Sequence, residues 1–254
     1  MNRKELINFW KQEERQPFSG WDFSYLDGRM LEEEHPWSYT SRALELMRSC
    51  SSMLDMGTGG AERLLKMKDV WPKRVTATEE YPPNIVLATK RLKPFGVKVI
   101  NVSLNTNHLM PFADNEFDII LNRHSGFNPE EVARILAPGG VFLTEQVHGL
   151  SMSDLIACFG CKPKWSFAAP EFFIPRLKSA GLTIRDLKEW SGKISFTDVG
   201  ALVYYLKAVA WFVPGFSVAT HINYLFSLQS QVEEGKALNF TNKRYLIEAY
   251  KKEQ

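Results

Sequence analysis

A cluster of three glycines, Gly57, Gly59 and Gly60, joins a strand-like segment to a helix-like one and constrains the fold of this chain most. The surrounding segment is LDMGTGGAERLL, residues 54–65. Glycine costs conformational entropy, so three of them in one short stretch indicate a tight turn or a backbone that a ligand approaches closely. Bare peptide N–H groups at the start of a helix bind polar ligands. The turn therefore predicts a ligand site between a strand and the following helix.

Strand-like and helix-like segments alternate through the first 150 residues. Five short segments have the apolar pattern of strands, and they cover residues 51–56, 73–80, 96–104, 117–123 and 141–147. The segments between them have helical periodicity, for example PPNIVLATKRL and NPEEVARIL, the second of which is closed by APGG. Strands that alternate with helices through short turns predict a doubly wound parallel sheet, in which ligands bind at the carboxyl ends of the strands.

The chain after residue 150 has a different pattern. We expect a helix over 171–182, a sixth strand over 183–190, two helices near 197–209 and 217–233, and a final strand over 243–252. This order of strand, long helical insertion and strand is unlike the second half of a dinucleotide dehydrogenase.

The composition is that of a globular protein, with 44% hydrophobic and 24% charged residues. A net charge of +2 gives no support to a polyanionic partner such as nucleic acid. The first ten residues lack the apolar segment of a signal peptide, and the longest apolar run is too short to span a bilayer and contains Lys207. The three cysteines fit a reducing compartment, and the CxxC of Cys158 and Cys161 lacks the further ligands of a zinc site. We therefore expect a cytoplasmic protein with no membrane span and no metal.

The residues around the glycine turn distinguish between the ligands that such turns bind. A nicotinamide-binding fingerprint has a third glycine where this chain has Glu62, and the negative charge of that carboxylate would disfavour a pyrophosphate. The Gly-Lys-Ser/Thr of a phosphate-binding loop is absent as well. Asp55 stands two residues before the first glycine, which suits a cationic or hydrogen-bond-donating ligand. A nicotinamide oxidoreductase is therefore the least favoured function.

Four segments resemble, in order, the motifs of class I S-adenosylmethionine (SAM) dependent methyltransferases. They are MLDMGTGGA, VTATEEYPPN, LMPFADNEFDIILNRH and LAPGGVFLTEQV, and they follow one another across residues 52–147. The match is closest to the broad methyltransferase-domain group that includes ubiquinone/menaquinone-type enzymes. The resemblance implies an α/β fold with a doubly wound, seven-stranded Rossmann-like sheet whose last strand is antiparallel. It implies SAM as cofactor and one methyltransferase domain over residues 1–254, with the SAM-binding core at 41–150.

The resemblance gives the first motif a role in holding one end of the cofactor. Asp55, Gly57, Thr58 and Gly59 would line the methionine and ribose part of SAM. The third glycine of the family's loop is Ala61 here, a change that so short a side chain should tolerate.

The resemblance places further cofactor contacts after the second and third strands. Glu79 ends the second strand and would accept hydrogen bonds from both ribose hydroxyls, because an ionised carboxylate is a good acceptor for two O–H donors. Glu80 is the alternative acceptor, and Tyr81 would lie near the adenine. The segment NVSLNTNHLMPF lacks the aspartate that often holds the adenine amino group, and Asn105 or backbone groups would take its place.

The residues after the fourth strand are expected at the junction of cofactor and substrate. Asn122, Arg123 and His124 would face the cofactor and the entrance for the substrate. The reaction would be an in-line displacement at the methyl carbon of a sulfonium, so the protein mainly positions the reactants and excludes water. A base is needed only if the nucleophile is protonated, and His124 is the candidate catalytic residue. A hydrogen-bonding role within its loop is the alternative for His124.

Eight aromatic residues stand within residues 1–40, one residue in five against 13% for the whole chain. We expect this segment to be a lid over the cofactor, and packing against the back of the sheet is the alternative. The apolar insertion at 192–241 is expected to cap the acceptor pocket. The residues expected to contact the substrate are Trp21, Tyr25, Trp37, His124 and Phe127.

The expected function is methyl transfer from SAM to a small-molecule acceptor. One alternative is an RNA methyltransferase acting on rRNA or tRNA, but its target-base motif N-P-P-Y/F is missing from the usual place, and YPPN follows the second strand instead. The other alternative is a SAM-binding regulatory protein without turnover.

Overall fold

The fold comes from a computed structural model, which describes residues 1–18, 21–102 and 109–253. The chain divides into two compact units. Unit 1 consists of residues 1–35, 149–167 and 191–243, and unit 2 consists of residues 36–148, 168–190 and 244–254. Each unit has hydrophobic core clusters of its own. The single domain expected over the whole chain stays a prediction.

The strands form one mixed sheet with the order β1-β7-β8-β6-β5-β2-β3-β4. They are β1 (Met30–Glu32), β2 (Ser52–Met56), β3 (Arg74–Glu79), β4 (Lys98–Asn101), β5 (Phe117–Arg123), β6 (Leu136–Val147), β7 (Leu182–Phe196) and β8 (Leu238–Lys251). Strands β4, β3, β2, β5 and β6 pair in parallel, whereas β8 pairs antiparallel with β6. The predicted α/β sheet with an antiparallel last strand is therefore confirmed.

The predicted number of strands is wrong, because the sheet has eight strands in the described residues and not seven. The additional strand is β1, which lies in the aromatic N-terminal segment and pairs antiparallel with the residues Ile194, Ser195 and Phe196 of β7. It is three residues long and largely exposed. So short a strand has too few residues for an alternating pattern to show in the sequence.

Most helices of the described residues lie close to predicted helical segments, but the one over residues 3–15 was not predicted. They are α1 (Arg3–Arg15), α2 (Tyr39–Met47), α3 (Glu62–Lys66), α4 (Pro82–Leu92), α5 (Pro129–Ile135), α6 (Ser153–Cys158), α7 (Pro170–Ser179), α8 (Val199–Ala208) and α9 (Ile222–Glu233). The side chains of Ser38, Asn128 and Asp198 cap the N-termini of α2, α5 and α8. Such caps satisfy backbone N–H groups that the first turn of a helix leaves unpaired.

The APGG segment was expected to be a turn after α5, but it forms the start of β6. A register shift between Phe117 and Ile119 of β5 accommodates the additional residues. Gly140 is required at this point, because a Cβ atom there would lie 2.8 Å from the carbonyl oxygen of Ala137 and 2.9 Å from that of Asp118. The glycine therefore permits a close approach of backbone to backbone inside the sheet.

Unit 2 buries both faces of the parallel part of the sheet. Leu54 and Met56 of β2 belong to one core cluster, together with residues of α5 and α7. Met53, the neighbour of Leu54, belongs to the other, together with residues of α2, α3 and α4. Alternate residues of a strand point to opposite faces, so helices cover the sheet on both sides. This is the doubly wound arrangement that the alternation of strands and helices predicted.

Unit 1 combines the aromatic N-terminal segment with the helical insertion. Its core contains Leu6, Trp10 and Leu26 together with most of α8. Arg29 donates from Nε and Nη2 to both carboxylate oxygens of Asp198, at 2.9 and 2.7 Å, and from Nη1 to Glu13 at 3.0 Å. The lid role of the N-terminal segment and the cap role of the insertion stay predictions. None of the helices in the described part of the chain is long and apolar enough to cross a bilayer.

Candidate functional site

Unit 2 brings together the polar residues at the carboxyl ends of four parallel strands. Met56 of β2 lies opposite Thr78 of β3 on one side and Asn122 of β5 on the other, and Asn122 lies opposite Thr144 of β6. The strand order reverses at β2, because the chain continues to β3 on one side and returns to β5 on the other. Ligands of doubly wound sheets bind at such a reversal. The candidate site is at this edge.

The glycine turn after β2 is tight and takes left-handed backbone conformations. Gly57 and Gly59 have φ angles of 69° and 62°. Ala61 has a φ angle of 68°, so a residue with a Cβ atom stands in a conformation that favours glycine. The backbone N–H of Thr58 donates to the carbonyl oxygen of Thr78 at 2.9 Å, which ties the turn to β3. The glycines thus serve the turn itself, and α3 begins directly after it.

The Glu79 carboxylate connects two turns of the site. One oxygen, Oε2, accepts from the backbone N–H of Gly59 at 2.7 Å. The other, Oε1, accepts from the N–H groups of Glu80 at 3.0 Å and Tyr81 at 2.9 Å. Glu79 is buried, whereas Glu80 is exposed and Tyr81 is 58% exposed. A carboxylate has about four lone-pair positions, so three backbone bonds leave about one for a further donor.

Asp55 is the acidic group in front of the turn. Burial raises its pKa to about 6, and the nearby charge of Glu79 adds to the rise, whereas Thr58 and Arg63 oppose it. Part of the Asp55 residue still reaches solvent. A carboxylate that burial makes costly to ionise is stabilised when a cation binds next to it. Asp55 therefore suits a positively charged group of a ligand.

Asn122 and Tyr39 each bury a polar side-chain atom at the site that has no hydrogen-bond partner within the described residues. The Asn122 side-chain oxygen accepts from Thr144 Oγ1 at 2.8 Å and from Gln146 Nε2, but its amide nitrogen Nδ2 meets no acceptor. The Tyr39 hydroxyl likewise has no hydrogen-bond partner there. Burial, followed by the charges of Asp55 and Glu145, raises the Tyr39 pKa well above 10, so the hydroxyl keeps its proton. Buried polar groups are normally paired, so these two indicate a ligand.

Glu145 of β6 organises a second group of charges. Its carboxylate is buried and accepts from Trp37 Nε1 at 2.9 Å and from Arg123 Nε at 2.7 Å. Burial lowers the pKa of Arg123, and the charge of Glu145 works against that shift. Trp37, which was predicted to contact the substrate, therefore shares the Glu145 carboxylate with Arg123.

His124 directly follows β5 and has a left-handed backbone, with a φ angle of 54°. Its backbone N–H donates to the carbonyl oxygen of Glu145 at 2.9 Å. In the side chain, Nε2 lies 3.7 Å from Glu145 Oε1 and 3.4 Å from Arg244 Nη1. A guanidinium only donates, so Nε2 is the acceptor in its contact with Arg244. The predicted base thus lies among charged groups, and both of its expected roles, base and loop hydrogen bonding, stay predictions.

The other predicted site residues have different surroundings. Phe127 is buried, with its ring 5.0 Å from that of Phe142 and 4.6 Å from that of Phe173. Trp21 and Tyr25 belong to unit 1 and are exposed, Tyr25 stacking at 4.6 Å on Tyr204 of the same unit. Their predicted contacts with a substrate are untested. The predicted adenine contact of Asn105 lies outside the described residues.

Sequence reasoning missed Tyr39, Glu145 and Gln146. Thr144, Glu145 and Gln146 interrupt an otherwise apolar buried strand, VFLTEQV, and that run of polar residues is a sequence signal for a functional site. Tyr39 is the first residue of α2, and no spacing rule distinguishes it from the other aromatic residues near the N-terminus.

Comparisons with known proteins identify a family model that part of this chain matches. Residues 54–144 match the family model described as a methyltransferase domain. A search of curated proteins gave no match. The general domain is matched, and the ubiquinone/menaquinone-type subgroup stays a prediction.

Solved structures similar to this chain share its fold at low sequence identity. The YcgJ protein from Bacillus subtilis is 16% identical with a TM-score of 0.59, and the match covers 85% of this chain and 99% of that one. A functionally unknown protein from Deinococcus radiodurans R1 is 13% identical with a TM-score of 0.60, covering 98% of each chain. A geranyl diphosphate methyltransferase in complex with SAM is 14% identical with a TM-score of 0.50, covering 84% of this chain and 85% of that one. The matched segment contains the glycine turn, Glu79 and Asn122. Residues 54–144 therefore resemble a methyltransferase domain, and the chain shares the Rossmann-like fold of the solved structures.

Proposed function

We propose that this chain is a SAM-dependent methyltransferase whose acceptor is a small molecule. One observation carries the proposal: the segment that matches the methyltransferase domain, residues 54–144, contains a buried amide donor, Asn122 Nδ2, that lacks a partner among the described residues. That donor stands at the strand edge between the glycine turn and Glu145. A ligand with acceptor groups would satisfy it.

The residues of the site fit the chemical groups of SAM. Asp55 suits the ammonium group, because a bound cation offsets the cost of keeping this carboxylate ionised. Glu79 has about one lone-pair position left for a ribose hydroxyl, and the exposed ring of Tyr81 is available to the adenine. The amide of Asn122 supplies a donor for an acceptor atom of the cofactor. SAM, when bound, supplies a methyl group that the positive charge of its sulfur activates for displacement.

The remaining residues position the reactants and move a proton if one must leave. Arg123 is held by Glu145, so its guanidinium has a fixed place beside the end of β5. Trp37, bound to the same carboxylate, presents an indole surface that excludes water. His124 would take the proton of a hydroxyl or amine nucleophile, because its imidazole is partly exposed between Glu145 and Arg244.

A small acceptor is supported by two observations. The net charge of +2 is too small to favour a nucleic acid substrate. A structural neighbour named for methyl transfer to geranyl diphosphate has been solved with SAM, so this fold accommodates a small acceptor. A cytoplasmic location belongs to the same proposal and rests on the three cysteines, which are all free thiols. Cell fractionation tests the location.

Calorimetry with SAM, S-adenosylhomocysteine and NADH tests the cofactor. We expect both sulfur compounds to bind and NADH not to bind. Asn122→Leu should weaken S-adenosylhomocysteine binding at least about tenfold, because the site then lacks a hydrogen bond to the ligand. Asp118→Asn, at the opposite end of the same strand, is the matched control and should bind as the wild type does. Tight NADH binding would overturn the proposal.

A screen of methyl acceptors with detection of S-adenosylhomocysteine tests the reaction. We expect turnover with a small acceptor. Cofactor binding without turnover on any acceptor class would favour a regulatory protein, and turnover confined to RNA would favour the RNA methyltransferase.

A further inference from the structure

Unit 1 carries a group of large aromatic side chains that are exposed or half-buried, which we call the aromatic patch: Trp21, Trp165, Phe167 and Trp211. Trp21 is 56% exposed, Phe167 52% and Trp165 44%. The half-buried Trp211 connects two of them, since its ring centroid lies 5.7 Å from that of Trp21 and 6.0 Å from that of Trp165. Exposing neighbouring aromatic rings to water costs free energy, so such a patch marks an interaction surface.

Two of the three chain segments that carry the aromatic patch are basic, whereas Asp22 follows Trp21 in the third. Residues 159–169 contain Lys162 and Lys164 and no acidic residue, and residues 205–217 contain Lys207 and no acidic residue. All three lysines are exposed. The Nζ atom of Lys164 lies 4.7 Å from the centre of the Trp165 ring. A surface that combines exposed rings with lysines is complementary to a partner that is both apolar and negatively charged.

The orientation of the rings argues against single-stranded nucleic acid as that partner. Trp21 and Trp211 meet at an interplanar angle of 65°, and Trp165 and Trp211 meet at 55°. Bases stack on open, accessible ring faces, whereas these rings direct edges and faces at one another. A lipid surface sets no such requirement, because Trp and Phe rings enter the headgroup region in any tilt while lysines stay at the phosphates.

We propose that the aromatic patch of unit 1 docks on an anionic lipid membrane, with Lys162 and Lys164 against the lipid phosphates. Docking of this kind attaches the protein to one leaflet and needs no membrane-spanning helix. The docking does not rest on the proposed methyl transfer, because the residues proposed to hold the cofactor, Asp55, Glu79, Tyr81 and Asn122, lie in unit 2. A substrate role for Trp21 would compete with it, so the test uses Trp165 and Phe167.

Vesicle flotation of the full chain tests the proposal. We expect the protein to float with vesicles that contain phosphatidylglycerol, to float poorly with phosphatidylcholine alone, and to release as salt is raised. The double variant Lys162→Ala/Lys164→Ala should bind about 30-fold more weakly, which is the loss expected for two lysines at an anionic surface. Trp165→Ala/Phe167→Ala should bind at least about tenfold more weakly, because two rings no longer enter the bilayer.

A second exposed lysine–ring pair provides the matched control. Lys68 Nζ lies 5.7 Å from the centre of the Phe95 ring in unit 2, and Phe95 is 48% exposed. Lys68→Ala/Phe95→Ala should bind vesicles as the wild type does. Quenching of tryptophan fluorescence by brominated phosphatidylglycerol, measured on the unchanged chain, supports docking even if a variant fails to fold.

Three results would overturn the proposal. The first is no flotation or quenching with phosphatidylglycerol vesicles, and the second is an equal loss of binding in the control variant. The third is a concentration-dependent dimer in sedimentation that Trp165→Ala/Phe167→Ala abolishes, because a second copy of this chain would then cover the patch.

Discussion

Replacing Asp55 by asparagine should make the ligand-free protein more stable at neutral pH and weaken its cofactor site. Burial raises the Asp55 pKa from 3.8 to about 6. Ionising this group in the folded state therefore costs about 3 kcal/mol, at about 1.4 kcal/mol for each pKa unit. Part of the residue reaches solvent, and water reduces that cost. We expect Asp55→Asn to gain about 1–2 kcal/mol of unfolding free energy at pH 7.

The gain should depend on pH in a defined direction. Between pH 3.8 and about 6, the folded wild type binds more protons at Asp55 than the unfolded chain does. Its stability therefore falls as the pH rises through this window, and the asparagine variant lacks this fall. The advantage of the variant should be complete above about pH 6 and absent near pH 4. Urea unfolding at several pH values measures it.

Asp118→Asn is the matched control for this experiment. Asp118 accepts from the backbone N–H groups of Ser51 and Ser52 at 2.9 Å each, so removing its charge should destabilise the protein by roughly 1–3 kcal/mol. In calorimetry, Asp55→Asn should bind S-adenosylhomocysteine more weakly and Asp118→Asn should not. The argument fails if Asp55→Asn is less stable than the wild type at pH 7, or if the difference between them stays constant from pH 4 to pH 7.

Three other substitutions test separate parts of the site. Glu79→Ala removes three hydrogen bonds from backbone N–H groups to the carboxylate, and urea unfolding should show a loss of about 2–4 kcal/mol of unfolding free energy. S-adenosylhomocysteine should bind the variant at least about tenfold more weakly. An unchanged urea midpoint would contradict this prediction. If His124 is the base, His124→Ala should lower turnover roughly 10²-fold in a steady-state assay and leave cofactor affinity within about threefold. Unaltered turnover would favour hydrogen bonding within its loop as the role of His124. Ala61→Val should destabilise by about 2–4 kcal/mol in thermal unfolding, because a β-branched residue would have to occupy a buried left-handed position; wild-type stability of this variant would show that the turn relaxes.

The parallel half of the sheet could be predicted from the sequence because each of its strands is a short apolar run with a turn on either side. The predicted and observed bounds of β5 are the same, Phe117–Arg123, since both of its faces are buried and its neighbours are charged or polar. The extensions of β7 and β8 could not be predicted. They contain exposed polar residues, such as Lys193 and Asn239, whose strand conformation depends on pairing with distant segments.

The candidate site was predictable where a backbone turn or a strand end determines the residue. Asp55 and Glu79 stand at the ends of β2 and β3, and the order of strands brings them to one edge. Tyr39 joins them through tertiary packing alone, because it stands on a helix that precedes the first parallel strand. The hydrogen bonds that backbone N–H groups donate to Glu79 could not be predicted either, because they depend on the direction of its side chain and not on its position in the sequence.

The order in which the strands are synthesised has a consequence for folding in the cell. Strand β8 lies between β7 and β6 in the sheet, yet it leaves the ribosome after both of them. Translation of the roughly 90 residues between β6 and the start of β8 takes several seconds or more, and during that time one edge of β6 has no strand beside it. An unpaired strand edge recruits other chains, so a nascent or truncated chain that lacks residues 238–251 should depend on chaperones and aggregate when they are depleted.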